Sequence, residues 1–147
     1  MPTRLQRRRT RGWTKPANCV IVDRTSRYGN PFRIDSVMDV LGYTEEQARE
    51  WAVRSFGPWL RGDRSELTSD EGDRLRERIL AGLPNLVGKD LACACAPGEL
   101  CHADVLLEWA AAPDLADRIK QARIRVDRQL VAQGSDPLHP ELKDETA

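Results

Sequence analysis

Two short apolar runs, Asn18–Val22 (Asn-Cys-Val-Ile-Val) and Leu91–Cys95 (Leu-Ala-Cys-Ala-Cys), constrain this chain more than any other feature. Each is dominated by β-branched or small apolar residues. Each follows turn formers, Pro16 before the first and Gly88-Lys89-Asp90 before the second, so each predicts a short strand. The sequence between them carries helical signals. Ser36–Leu41 predicts a helical turn stopped at Gly42. Thr44 and Gln47 have capping-box spacing, and Ala48, Trp51, Ala52, Ser55, Phe56 and Trp59 then recur on one helical face, with Pro58 near the end. Thr68 and Glu71 repeat the capping spacing ahead of Leu75, Ile79, Leu80 and Leu83. A strand, a helical crossover and a second strand favour parallel pairing with a right-handed connection. Two strands make a thin sheet, so a third is expected, either at Phe32–Ile34 or near Trp13.

In open parallel sheets, ligands gather beyond the carboxyl ends of the strands. Parallel pairing therefore predicts that the Asp23–Phe32 loop and the Cys95–His102 loop share one rim. After the second loop, His102–Ala112 predicts a helix with Val105, Leu106 and Trp109 inward, ended before Pro113. A last helix is predicted from about Asp114 to Gln133. Its Leu115, Ile119, Ala122, Val126 and Leu130 lie close to a heptad pattern, which suits either packing on the domain or a dimer seam. The resulting expectation is a small Rossmann-like α/β domain of two or three layers, with a short, mostly parallel sheet and a C-terminal helix. It divides into a basic arm (1–12), a single α/β domain (13–112), an amphipathic helix (113–133) and a disordered tail (134–147).

Charge is unevenly spread. The chain has 23 basic and 23 acidic residues, yet residues 1–33 hold nine Lys/Arg against Asp23 alone, for +8, which leaves −8 for the remainder. An anionic partner for the N-terminal third and neutralisation between two parts of one fold both account for this. No stretch approaches the ~20 apolar residues that span a bilayer, so no membrane partner is expected. No apolar segment follows the basic N-terminus in the manner of a secretory signal, which predicts a cytoplasmic location and reduced thiols.

Three segments bear chemistry. In Arg24-Thr25-Ser26-Arg27-Tyr28-Gly29-Asn30-Pro31-Phe32, Gly29 and Asn30 tolerate left-handed backbone angles. Arg24 and Arg27 can fork onto phosphate or carboxylate, and Tyr28 can stack on a base. The competing reading is a tight turn with solvated arginines. In Cys93-Ala94-Cys95…Cys101-His102-Ala103-Asp104, strand geometry puts Cys93 and Cys95 on one face, and Cys101-His102 opens a helix. Three readings stand side by side. Cys93, Cys95, Cys101 and His102 are the ligand types of a zinc site, although the spacing departs from Cys-x2-Cys. A helix N-terminus can activate Cys101 as a nucleophile, with His102 or Asp104 moving protons. Buried cysteines also serve as small hydrophobes. The third segment, Arg7-Arg8-Arg9-Thr10-Arg11-Gly12-Trp13, pairs arginines with an aromatic, as nucleic-acid binders do, and Arg11 and Trp13 join the candidate contacts.

At these residues the chain resembles the bacterial and phage domain-of-unknown-function family DUF4326. The resemblance is carried by Arg8-Arg9-Thr10-Arg11-Gly12-Trp13, Val20-Ile21-Val22-Asp23-Arg24, Tyr28-Gly29-Asn30-Pro31-Phe32, Gly88-Lys89-Asp90-Leu91-Ala92-Cys93-Ala94-Cys95 and Cys101-His102-Ala103-Asp104-Val105-Leu106-Leu107. It covers about residues 7–112 and departs at Ala94, where the family pattern has a large aromatic, often Trp. The Cys-His turn is also similar to the uncharacterised family DUF488. The resemblance implies a bacterial or phage setting, hence a bacterial host cytoplasm, and supplies no reaction. The leading expectation is a nucleotide- or nucleic-acid-related ligand site built from the two loops. Arg24, Arg27, Tyr28 and Asn30 would contact the ligand, Cys101-His102 would form the opposite wall, and Cys-dependent catalysis is left open. The alternatives are a non-enzymatic zinc-stabilised adaptor for nucleic acid or protein and a phage-encoded inhibitor of a host protein. Both a monomer and a homodimer through the last helix fit the pattern.

Overall fold

The computed structural model describes residues 1–142. Three strands, β1 (Arg4–Gln6), β2 (Cys19–Ile21) and β3 (Asp90–Cys93), form an all-parallel sheet in the order β1-β3-β2. The chain is thus a small α/β domain, and the parallel pairing expected from the strand–helix–strand order is present. The central strand is the most apolar, with Leu91 and Ala92 fully buried and paired on both sides, to Arg4 and Leu5 of β1 and to Val20 and Ile21 of β2.

The third strand lies neither near Trp13 nor at Phe32–Ile34. Residues 4–6, read from their polarity as part of an arm, add it at the edge of the sheet. An edge strand leaves side chains half-buried and needs no apolar run, so Arg-Leu-Gln carries little strand signature. Phe32 is instead a core residue just ahead of α1 (Ile34–Leu41), which ends at Gly42 in the left-handed conformation with φ 69°.

Between β2 and β3 run α1, α2 (Glu45–Leu60) and α3 (Asp70–Gly82), followed by a 3-10 turn at Leu83–Leu86. The capping box of α2 forms as its spacing predicts, with the Thr44 side chain accepting from Gln47 N and the Gln47 side chain accepting from Thr44 N. Pro58 sits inside the last turn of α2 without ending it. The cap of α3 is displaced by one residue from the Thr68–Glu71 spacing. Ser69 holds the end, accepting from Gly72 N at 3.0 Å, so the box predicted at Thr68 does not form. The inward face of α3 carries Asp73 and Arg76 along with Ile79 and Leu80. The two charges are tolerated because they are paired. Asp73 Oδ1 accepts from Arg64 Nε at 3.0 Å and Arg76 Nη1 at 2.9 Å, and the Arg76 guanidinium lies over the Trp59 ring, 5.0 Å from its centroid.

After β3, α4 (His102–Ala111) and α5 (Leu115–Ala132) complete the domain. Ile119, Ala122, Ile124, Val126 and Leu130 of α5 are buried within the chain. Residues 134–142, expected to begin a disordered tail, turn back: Leu138 N and His139 N donate to the two oxygens of Asp127, and His139 Nε2 lies 3.1 Å from Glu77. The rest of that expected tail, 143–147, lies outside the described residues. Among the described residues no helix is long and apolar enough to cross a membrane.

Candidate functional site

The carboxyl ends of β2 and β3 open onto a cleft of about 320 Å³. Asp23, Arg24 and Thr25 enter it from β2, Cys93, Ala94 and Cys95 from β3, Arg9 from beyond β1, and Arg49, Ala52 and Val53 from α2. Asn30, Phe32, Ile34, Glu99, Leu100 and His102 complete the lining. The two loops expected to share a rim therefore do so.

The first loop is folded by its own polar side chains. Asp23 Oδ1 accepts from Thr25 N, at 3.0 Å, and from the Thr25 hydroxyl, while Arg7 Nη1 donates to Asp23 Oδ2 at 3.0 Å. Burial alone would push the Asp23 carboxyl up, but the Thr25 hydrogen bonds and the Arg7 guanidinium outweigh it and hold Asp23 below the ordinary carboxylate range. The Ser26 hydroxyl donates to Asp23 O and accepts from Tyr28 N. Asn30 is spent on structure, donating to Ala52 O and accepting from Phe32 N, each at 3.0 Å. Tyr28 is buried, and its hydroxyl donates to Gly82 O at 2.8 Å. Its ring is therefore part of the core rather than a free stacking platform. Gly29 is required by close approach, not by a left-handed angle, since a Cβ there would lie 2.8 Å from Arg24 Cα.

His102 joins this loop to the second. Its Nε2 lies 2.8 Å from Val22 O and 3.0 Å from Tyr28 O. Two carbonyl oxygens require a donor, so Nε2 carries hydrogen and Nδ1 is the nitrogen that faces Cys101 Sγ, 3.9 Å away. Cys93, Cys95 and Cys101 converge there, their three sulfurs all within 4.8 Å of one another. The Cys101 thiol is held far below its usual value because Cys93 and Cys95 hydrogen-bond to it and His102 faces it, against burial. Cys95 is pushed far up by its hydrogen bonds with Cys101 and Cys93 and by burial, so the three thiols titrate as one coupled group. Burial would lower His102, but Cys101 and Cys93 outweigh it and raise it to about 10, which favours the charged imidazole beside the thiols.

The remaining predicted site residues are spread around this centre. Cys101 is 1% exposed and is not among the cleft-lining residues, whereas Cys93 and Cys95 line the cleft and Cys95 is half-buried. Cys101, the predicted nucleophile, therefore does not face the cleft. Asp104 faces Arg4 at 3.6 Å on the solvent side of α4 and does not line the cleft. Arg24 lines both the cleft and an adjoining groove of about 390 Å³, which Arg27, Arg33 and Arg78 also line. Arg11 is exposed and Trp13 half-buried, and neither lines the cleft.

The structure also supplies residues that pattern reading passed over. Arg49 bridges the two walls, with Nε 3.2 Å from Glu99 and Nη1 3.8 Å from Cys95 Sγ. Its position between Ala48 and Ala52, on a helix face kept small, is the one sequence signal that could have marked it. Arg4 donates from Nη2 to Pro97 O at 2.7 Å and approaches Cys101. Nothing local in Arg-Leu-Gln indicated that role.

Fold and site together define a small parallel α/β domain with a thiol-walled, arginine-rimmed cleft at its strand ends. Residues 5–112 match the family described as "Domain of unknown function (DUF4326)", and the chain belongs to that family. No curated protein and no solved structure matches the chain.

Proposed function

We propose that the cleft binds a phosphate-bearing ligand of the nucleotide class, taken free or as part of an oligonucleotide. One observation carries this reading: Arg9 and Arg24 face an otherwise apolar cleft floor of Phe32, Ile34, Ala52 and Val53, with no ion pair of their own among the described residues. Arg7 and Arg49, by contrast, are neutralised by Asp23 and Glu99. Unpaired guanidinium groups beside apolar surface suit an anionic group joined to a flat, weakly polar body. The continuation past Arg24 into the groove of Arg27, Arg33 and Arg78 gives a polyanion room to extend. In this reading Asn30, Tyr28 and Gly29 shape the loop, and Arg24 and Arg27 meet the ligand.

Calorimetric titration with nucleoside mono-, di- and triphosphates, the parent nucleosides and short single-stranded oligonucleotides tests it. Phosphate-dependent binding that weakens with salt is expected. Arg24→Ala, at an exposed position, should weaken it about ten- to a hundredfold, the range for one charge-assisted hydrogen bond. An oligonucleotide preference that Arg27→Ala abolishes would identify the extended ligand. Wild-type protein that binds none of these at low salt, or an Arg24→Ala variant that binds as tightly, would refute the reading.

A further inference from the structure

We propose that Cys93, Cys95 and Cys101 form a three-thiolate site for one thiophilic divalent metal ion of the zinc class, with its fourth coordination position open to the cleft. Zinc–sulfur bonds of about 2.3 Å at tetrahedral angles separate two sulfurs by roughly 3.8 Å. Cys93 Sγ and Cys95 Sγ stand 3.8 Å apart, and Cys101 Sγ completes a group within 4.8 Å. A Cys-x-Cys pair reaches this geometry because β3 ends at Cys93, which frees Ala94 to turn and bring Cys95 over the same point.

The surroundings suit a thiolate cage. Three thiolates around a divalent ion leave one negative charge, and two guanidinium groups flank the sulfurs. Arg49 Nη1 lies 3.8 Å from Cys95 Sγ. Arg4 approaches Cys101, and its Nη1 is buried with no hydrogen-bond partner, a donor that a metal-bound sulfur would satisfy. His102 is left out of the ligand set. It is not in the converging group, and its Nε2 is committed to Val22 O and Tyr28 O. Cys101 sits beneath the site while Cys93 and Cys95 line the cleft, so the open side faces the cleft. Three protein ligands and a vacant fourth position are the arrangement of metal sites that meet an external ligand.

The proposal is independent of the nucleotide reading, and its test contains no nucleotide. The full chain, reduced, is loaded with zinc, desalted and assayed for metal content and thiol reactivity, and cobalt(II) is then substituted. About one metal per chain is expected, with three thiols protected until a chelator is added. Cys19→Ser should keep the metal, while Cys93→Ser and Cys95→Ser should each bind it at least tenfold more weakly. The cobalt form should show an intense thiolate charge-transfer band, and its visible spectrum should shift when thiocyanate occupies the open position. Cys95 is half-buried, so Cys95→Ser keeps the test decisive where a Cys101 variant fails to fold. Folded wild-type protein that retains no stoichiometric zinc or cobalt would overturn the site. A cobalt spectrum blind to thiocyanate would overturn the open position.

Discussion

Replacing His102 by Phe tests whether the imidazole is the strut that fixes the ligand loop to the sheet. The His102 ring packs edge-on to Phe56, 5.2 Å between centroids, and a phenyl ring keeps that contact and most of the volume. Besides the Nδ1 contact with Cys101, what is lost is the single donor shared by Val22 O and Tyr28 O. A buried acceptor left unsatisfied costs about 1–3 kcal/mol. One N–H serves both carbonyls, so the loss falls short of two full bonds, and about 2–4 kcal/mol is expected, from the roughly 5–15 kcal/mol that holds a domain folded. With a urea slope of about 2 kcal/mol/M, the midpoint drops by about 1–2 M. Urea unfolding followed by the fluorescence of the buried Trp59 and Trp109 measures it, and hydrogen exchange at Ser26 and Tyr28, whose amide N–H groups are bonded within the loop, reports the local loosening. A midpoint within about 0.5 M of wild type at unchanged slope would refute the strut, since the two carbonyls would then have found other partners.

Three further outcomes follow from the same geometry. Asp73→Asn strips the charge that both Arg64 and Arg76 depend on inside the core, and a loss of about 3 kcal/mol or more in urea unfolding is expected; a double variant with Arg64→Met should be far from additive. Gly29→Ala forces a Cβ against the Arg24 backbone, which has no flexible end to yield, so a stability loss of about 1–3 kcal/mol and weakened ligand binding are expected together; binding that is lost with stability intact would contradict the steric account. In the metal-free, reduced protein, the depressed Cys101 contributes stability that is complete above its unfolded value near 8.5, and the raised His102 contributes stability that is complete below about 6.5 and fades towards 10. Stability therefore rises with pH up to about 6.5, stays level to about 8.5 where the two changes cancel, and then falls; a steady decline from pH 5 to 8 would contradict the coupling of His102 to the thiols.

How much of this was legible in the sequence depended on whether a signal was local. Strands β2 and β3 and the Thr44 capping box lie in short windows of composition or spacing, and the parallel pairing followed from connection length. That pairing put the two loops on one rim. Strand β1 was not legible because an edge strand half-exposed on both faces needs no apolar pattern, so Arg-Leu-Gln looks like any polar tether. The α3 cap slipped because Thr68 and Ser69 are adjacent equivalents, and only the buried Arg64–Asp73–Arg76 group, held by Thr68 O and Trp59 O, decides which of them faces the helix. In the site, residue types were visible but their allegiance was not. Tyr28 and Asn30 have the look of ligand contacts, and their partners turn out to be Gly82, Ala52 and Phe32. Of the arginines that line the cleft, Arg49 sits outside the motifs and Arg9 is one of four in the basic segment, because what selects each of them is distance in space.

The edge strand also explains why a basic N-terminus coexists with zero net charge. Arg4 and Arg7 both meet acids of the fold, Arg4 reaching Asp104 at the start of α4 and Arg7 reaching Asp23 at the end of β2. The Arg7–Asp23 pair is already counted within the +8 of residues 1–33, and the Arg4–Asp104 pair offsets one further charge from the acidic remainder. Arg7→Met separates the Arg7–Asp23 pairing from packing, because it keeps most of the aliphatic stem and removes the guanidinium that donates to Asp23 and to the Thr25 hydroxyl. The Arg7 side chain is 32% exposed, so solvent screening limits the pair, and a loss of about 1 kcal/mol at neutral pH is expected. Asp23 is held below its ordinary range, so its contribution is present above the unfolded value near 3.9 and is lost as pH falls through the folded one. The gap between wild type and Arg7→Met should accordingly persist from pH 8 to 5 and close as pH falls below about 4, where an uncharged Asp23 no longer distinguishes them. Urea midpoints at pH 6 and pH 3 decide it. An equal gap at both would mean that Arg7 acts through its bond to Thr25 and its packing beside β1, not through the charge of Asp23.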